Sequence, residues 1–128
     1  KEQLDFFKEQ VSSELPLVLL VHIPMYAPGK SISFGCGNPD WGASSDQNFE
    51  LERRLKWPEA GHSETTFDFH RAVFSAPNLL GVFAGHIHRF SVESIKGKPQ
   101  IVTDDNASGG FLDVDFLPLE PKDQSLIF

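Results

Sequence analysis

Residues 79–88 read LLGVFAGHIH, an apolar run and a glycine leading into two histidines one residue apart. A short apolar run without polar alternation predicts a strand covered on both faces, as in a parallel sheet. The pattern has an earlier counterpart, since LVLLV at residues 17–21 runs straight into His22. Between the two lies ETTFDFHRAVFSA, residues 64–76. Its Phe69, Val73 and Ala76 recur at i, i+4 and i+7, and Phe67 with Phe74 widens the apolar face. That spacing predicts a helix, ended by Pro77 and Asn78. Strand, crossover helix and strand predict a βαβ unit with parallel strands and a right-handed connection.

The remaining chain is fitted around this unit. In KEQLDFFKEQVSSE, residues 1–14, Leu4, Phe7 and Val11 share one helical face, and Pro16 stops the helix. FSVESI (90–95) and QIVTDD (100–105) flank KGKP and predict a hairpin. FLDVDF (111–116) alternates Leu112, Val114 and Phe116 with Asp113 and Asp115, which predicts a third antiparallel strand with one solvated face. Residues 23–63 show no period. Their aromatics Phe34, Trp41, Phe49 and Trp57 predict a packed loop, with a short helix near NFELERRL. There is no repeat. The fold class is α/β (α+β on some schemes), a βαβ unit followed by antiparallel strands, in one domain.

With 128 residues, 40% of them hydrophobic, the chain is long enough to bury a core. No apolar run reaches membrane-spanning length, and the charged, amphipathic start does not read as a signal peptide. A first residue of Lys1 suits a fragment or a processed product. Cys36 is the sole cysteine, which excludes an internal disulfide and a thiolate zinc cluster. A net charge of −7 without a basic block excludes nucleic-acid binding through the chain's own charge. Phosphate remains accessible to an acidic chain if bound cations bring the positive charge.

His22 and His86 each follow a strand predicted to be parallel to the other. Open α/β sheets bind ligands beyond the carboxyl ends of their strands, so the two should be neighbours. In an extended GHIH segment, His86 and His88 would point to the same side, and Gly85 permits close backbone approach. Neutral imidazole is a common metal ligand. Three such nitrogens suit one zinc with an open position, or two metals roughly 3.5–4 Å apart, as used for phosphoester hydrolysis.

LVHIPMY (20–26) and FAGHIHRF (83–90) resemble the last two signature blocks of the calcineurin-like metallophosphoesterases. The H-x-P-x-Y form is closest to the purple acid phosphatase branch, and QLDFFKEQV (3–11) resembles the helix before the first block. In motif order the resemblance covers roughly residues 1–116. It implies a β-sandwich of two mixed sheets with flanking helices, of which this chain is the C-terminal half. It implies two divalent or trivalent metal ions (Fe, Mn, Zn or similar), with His22 and His86 on one and His88 on the other. A metal-activated hydroxide would attack the phosphorus of a phosphate-ester substrate. The family's D-x-H, G-D and G-N-H-D/E blocks, which carry the carboxylates, the bridging aspartate, an asparagine and a catalytic histidine, have no counterpart before His22. The expected partner is therefore the missing N-terminal half, and the isolated chain is expected to be inactive. The alternatives are a phosphoesterase-fold scaffold without catalysis and a mononuclear zinc site on the three histidines.

Other residues carry weaker signals. DFH at 68–70 spells D-x-H but falls within the predicted helix, where i and i+2 diverge by roughly 200°; Asp68 and His70 read as helix surface. GNPD at 37–40 reads as a turn. His62, beside Glu64 at the end of the long loop, reads as loop surface or as a substrate contact. Arg89 suits a phosphate oxygen or a salt bridge. Asp104, Asp105 and Asn106 suit hydrogen bonding to the histidines or plain turn chemistry. Tyr26 reads as structural. Asn106-Ala107-Ser108 is a glycosylation sequon, relevant to a secreted eukaryotic protein.

Overall fold

A computed structural model describes residues 1–27, 35–38 and 62–118. The helix expected near NFELERRL and the aromatics Phe34, Trp41, Phe49 and Trp57 lie outside the described residues.

Helix α1 spans Glu2–Ser12 and strand β1 Leu17–Leu20. Helix α2 spans Glu64–Ser75 and strand β2 Leu79–Ala84. β3 (Ser91–Ile95) and β4 (Lys98–Val102) follow. The four strands form one mixed sheet in the order β1-β2-β4-β3. β1 and β2 run parallel, joined through α2 as the apolar pattern predicts. The helical faces are also as read. Leu4 and Phe7 of α1 and Val73 and Phe74 of α2 are buried, and Phe7 meets Phe69 edge-on at 5.5 Å. Behind α2, Asn78 donates its side-chain amide to the carbonyl of Leu15 at 2.7 Å, tying the end of one helix to the end of the other.

The second half differs from its reading in three ways. The hairpin turn is only Lys96-Gly97, with φ of +49° and +76°. Two positive-φ residues match the strand twist of a tight hairpin, so Ile95 pairs directly with Lys98. β4 is also not an edge. It pairs parallel to β2 from Val82↔Gln100 to Ala84↔Val102, and among the described residues it is β3 that is left with an open antiparallel edge. Pro99 is tolerated because the β2 ladder begins one residue after it. Gly81 faces its ring, where an added Cβ would lie 3.3 Å away.

The third difference concerns FLDVDF, which is not a strand. Alternation specifies which face a strand would bury, but a strand also requires backbone pairing with a ladder edge. Residues 111–116 pair with neither β1 nor β3, and Phe111, Val114 and Phe116 are exposed.

The main core gathers Phe7, Met25, Val73, Phe74, Leu79, Val82 and Ile95, and a smaller cluster of Ala84, Ile87 and Val102 lies under the histidines. β1 departs from the two-sided burial read from LVLLV. It is an edge strand, and Leu20 is 76% exposed beside an exposed Phe6. Among the described residues nothing pairs with its outer edge.

The orientation of β2 is tested by two adjacent leucines, since Leu79 is 1% exposed and Leu80 49%. Leu79→Ala should lower stability by about 2–5 kcal/mol and Leu80→Ala by under about 1 kcal/mol, read from urea unfolding midpoints at constant slope.

Candidate metal centre

The site is built by continuing the β1–β2 ladder past the strand ends. Val21 N–H donates to the Phe83 carbonyl at 3.0 Å, and Gly85 N–H donates to the His22 carbonyl at 3.1 Å. On the other side, Thr103 N–H donates to the Ala84 carbonyl at 2.9 Å. His22 is thereby bonded to the residue that precedes His86. Their rings meet with His86 Nδ1 2.8 Å from His22 Nε2, the centroids 4.6 Å apart and the planes at 76°. In this contact one nitrogen carries the proton and the other accepts it. The convergence predicted from the strand ends is present.

The GHIH segment is not extended. His86 has φ +73° and His88 φ +51°, both left-handed. Ile87 N–H closes a three-residue turn onto the Gly85 carbonyl at 2.8 Å, with His86 at its centre. Ile87 is buried on Ala84 and Val102. The two histidines thus flank an inward-turned isoleucine rather than alternating along a strand. Left-handed backbone costs a non-glycine residue about 1 kcal/mol or more, and such strain concentrates where function fixes a geometry.

His88 is exposed and does not enter the His22–His86 contact. It stands near Asp105, whose carboxyl lies below the usual range. The Ser108 hydroxyl is the main cause, followed by the Ser108 N–H, with the neighbouring His88 adding a smaller contribution. Among the described residues no group of three or more His, Cys, Asp or Glu could hold a metal ion. The pair nevertheless suits a metal edge. Two nitrogens on tetrahedral zinc lie roughly 3.3 Å apart for bonds of about 2.05 Å, and neighbouring octahedral corners roughly 2.9 Å. The observed 2.8 Å requires little movement and the loss of one shared proton.

The weaker candidates find other uses. Asp104 accepts the N–H of Asp105, and Asp105 accepts the N–H and hydroxyl of Ser108, so turn chemistry accounts for both. Asn106 opens the short 3-10 turn Asn106–Ser108 and is exposed, as is Arg89. Asp68 joins Glu64 around Arg71 on the outside of α2. His62 is not loop surface. It is half-buried, edge-on to Phe67, and desolvation pushes its pKa down against the opposing effect of a hydrogen bond that the ring donates to the Gly35 backbone.

His70 also departs from its reading as helix surface. Its Nε2–H donates to the Tyr26 carbonyl at 2.9 Å, and its ring packs against Phe74. The GNPD segment is a turn over its described part, with Gly37 at φ +88°. An added Cβ at Gly37 would lie 2.7 Å from His70, so glycine is what lets the turn reach the ring. Burial is the main cause that pushes the His70 pKa below 6.5.

One residue escaped the sequence reading altogether. Gln100 is fully buried, and its amide grips both backbone groups of Met25: Oε1 accepts the N–H at 2.7 Å and Nε2 donates to the carbonyl at 3.0 Å. The available signal was its place two residues before Val102, hence on the same inward face of β4. A cleft of about 660 Å³ opens beside His22, lined by Phe6, Leu20, Met25 and Phe69 among others.

No family model matches the chain, and neither does any curated protein or solved structure. Among the described residues no helix is long and apolar enough to cross a membrane.

Two outcomes follow from this geometry. At φ +73° a glycine avoids the strain that any Cβ incurs, so His86→Gly should be more stable than His86→Ala by about 0.5–1 kcal/mol in urea unfolding, the reverse of the usual order. The second concerns acid. A His70 pKa depressed in the fold means that the unfolded chain takes up the proton first as pH falls through 6.5. The stability contribution is complete above pH 6.5 and is lost below it, and His62 acts in the same sense. Urea midpoints should fall between pH 7.5 and 5.5, and His70→Gln, which keeps an N–H donor for Tyr26, should flatten the slope.

Proposed function

We propose that this chain contributes His22, His86 and His88 to a binuclear metal centre that hydrolyses phosphoric esters. The carboxylate ligands would come from a preceding part of the same domain. The observation that carries the reading is the 2.8 Å contact between His22 Nε2 and His86 Nδ1, beyond the carboxyl ends of two parallel strands. These two histidines belong to the two blocks that resemble the metallophosphoesterases, and the fit of their spacing to a metal edge supports the assignment.

In this reading His22 and His86 hold one ion and His88 the other, each through a neutral ring nitrogen. Bound metal supplies Lewis-acid charge for phosphoryl oxygens and a nucleophilic water at neutral pH. The chain's own part is to keep both ring nitrogens aimed at one point, which it does through the β1–β2 ladder and the turn at Ile87. Arg89, next to His88 in the sequence, would meet a phosphate oxygen. The open edge of β1 and the apolar cleft beside it suit completion of the sheet by the N-terminal half.

The test uses the protein that carries this chain together with the D-x-H, G-D and G-N-H blocks. Two equivalents of Mn²⁺ or Zn²⁺ should bind and an aryl phosphate should turn over. His86→Ala should lower turnover by more than about a hundredfold, beyond the loss usual for groups that only support a ligand. The 128-residue chain alone should show neither turnover nor a tight metal pair. A complete protein that binds no metal and hydrolyses no ester would leave the fold as a non-catalytic scaffold, and one that keeps a single zinc without ester hydrolysis would favour the mononuclear site.

A further inference from the structure

We infer that Gln100 is a positioning residue for His22, acting through the peptide groups of Met25. The inference rests on the proposed metal centre for its consequence, though not for its geometry.

Two residues separate His22 from Met25, and every backbone polar group of residues 24–26 is engaged. The Pro24 carbonyl accepts from Cys36 N–H at 2.8 Å, and Tyr26 N–H donates to the Cys36 carbonyl at 2.9 Å. The Tyr26 carbonyl accepts from His70, and both groups of Met25 are held by Gln100. Pro24 has no N–H and fixes its own φ, so it adds stiffness where a further bond is impossible. Upstream, His22 is fixed by its carbonyl bond to Gly85. The ligand is therefore held from both sides, by the β2 ladder before it and by the clamp after it.

Gln100 is the member of this set that cannot be replaced by water. Its side chain and Met25 are both wholly buried, whereas the bonds of Cys36 and His70 lie in half-buried surroundings. A primary amide presents one acceptor and one donor side by side, which is the complement of a single residue's N–H and C=O. An apolar residue of equal size would strand two buried backbone groups, and the loop would move to satisfy them. Such movement shifts His22 relative to His86, because Gln100 pairs with Val82 of β2, the strand that leads into the turn holding His86. Gln100 touches neither ring, so its influence is on their relative placement.

The experiment compares wild type, Gln100→Leu, Gln100→Glu and Ile95→Val, a loss of one methyl from the same core, in the 128-residue chain. Two quantities are read: Zn²⁺ affinity by calorimetry, and the ¹⁵N shifts of the imidazole rings, which report the shared proton between His22 and His86. Gln100→Leu should weaken Zn²⁺ ten- to a hundredfold, the range found when a group supporting a ligand is removed. It should also abolish the fixed ring pairing. Gln100→Glu should restore both, since burial keeps its carboxyl neutral and able to donate and accept in the amide's place. Ile95→Val should change neither.

If Gln100→Leu does not fold, Gln100→Asn replaces it, being too short by one methylene to reach both Met25 groups. A folded Leu or Asn variant with wild-type ring shifts and wild-type Zn²⁺ affinity would overturn the inference. Ring pairing that depends on Gln100 in a chain that takes up no Zn²⁺ would uphold the positioning role, the metal centre itself being judged on the complete protein.

Discussion

Parallel pairing of β1 with β2 is the constraint on which the rest of this structure depends. Parallel neighbours cannot be joined by a tight turn, so the chain must cross over, and α2 is the crossover. The register sets Leu20 beside Phe83, and two further ladder bonds carry the pairing to His22 and Gly85. Residues 64 positions apart are thereby placed within one hydrogen bond of each other. A slip of one residue would turn the apolar side chains of β2 over and would also separate the rings. Core packing and site geometry are thus enforced by the same register.

The turn that carries the two later histidines shows which term dominates locally. Two left-handed residues cost about 1–2 kcal/mol each. Against this stand the burial of Ile87, worth about 1.5–3 kcal/mol for a fully buried aliphatic side chain, and its backbone bond to Gly85. The two sides nearly cancel, so the turn holds because ladder bonds on both flanks leave it little alternative. Thr103 N–H on the Ala84 carbonyl and Gly85 N–H on the His22 carbonyl fix the chain immediately before the turn. Strain persists here because the surrounding sheet over-determines the path.

What the sequence disclosed, and what it hid, follows from the range of the interactions involved. The βαβ unit was legible because apolar runs and a 3.6-residue period are local signals, and the strand-end rule then placed His22 near His86. The left-handed turn was not legible, because histidine marks no such conformation and only the pocket for Ile87 requires it. FLDVDF misled because alternation reports a face and is silent on whether the segment pairs with a ladder edge at all. His70 was read as surface from its place on the helix, but the partners that bury it, Tyr26 and Gly37, arrive from a loop more than 30 residues away. Gln100 was passed over for the same reason, since a glutamine in a strand gains meaning only with the loop it grips.

The paired histidines bear on how a metal would enter such a site. Many small metal sites form only when the ion arrives, and the binding free energy must then drive folding. Here the two nitrogens already face each other, held by ladder bonds, a buried isoleucine and a buried glutamine, none of which involves an ion. The proton shared between the rings is one component that a metal must displace. It keeps the lone pairs from facing one another unscreened, and it ties metal uptake to proton release. The remaining obstacle is charge. Two neutral imidazoles contribute none, and a net −7 distributed over the chain is screened within about 8 Å at physiological salt. In the proposed centre, tight binding of a cation pair would therefore draw on carboxylates from a preceding part of the domain, which would neutralise the ions and fill the coordination positions that the preformed histidine pair leaves open.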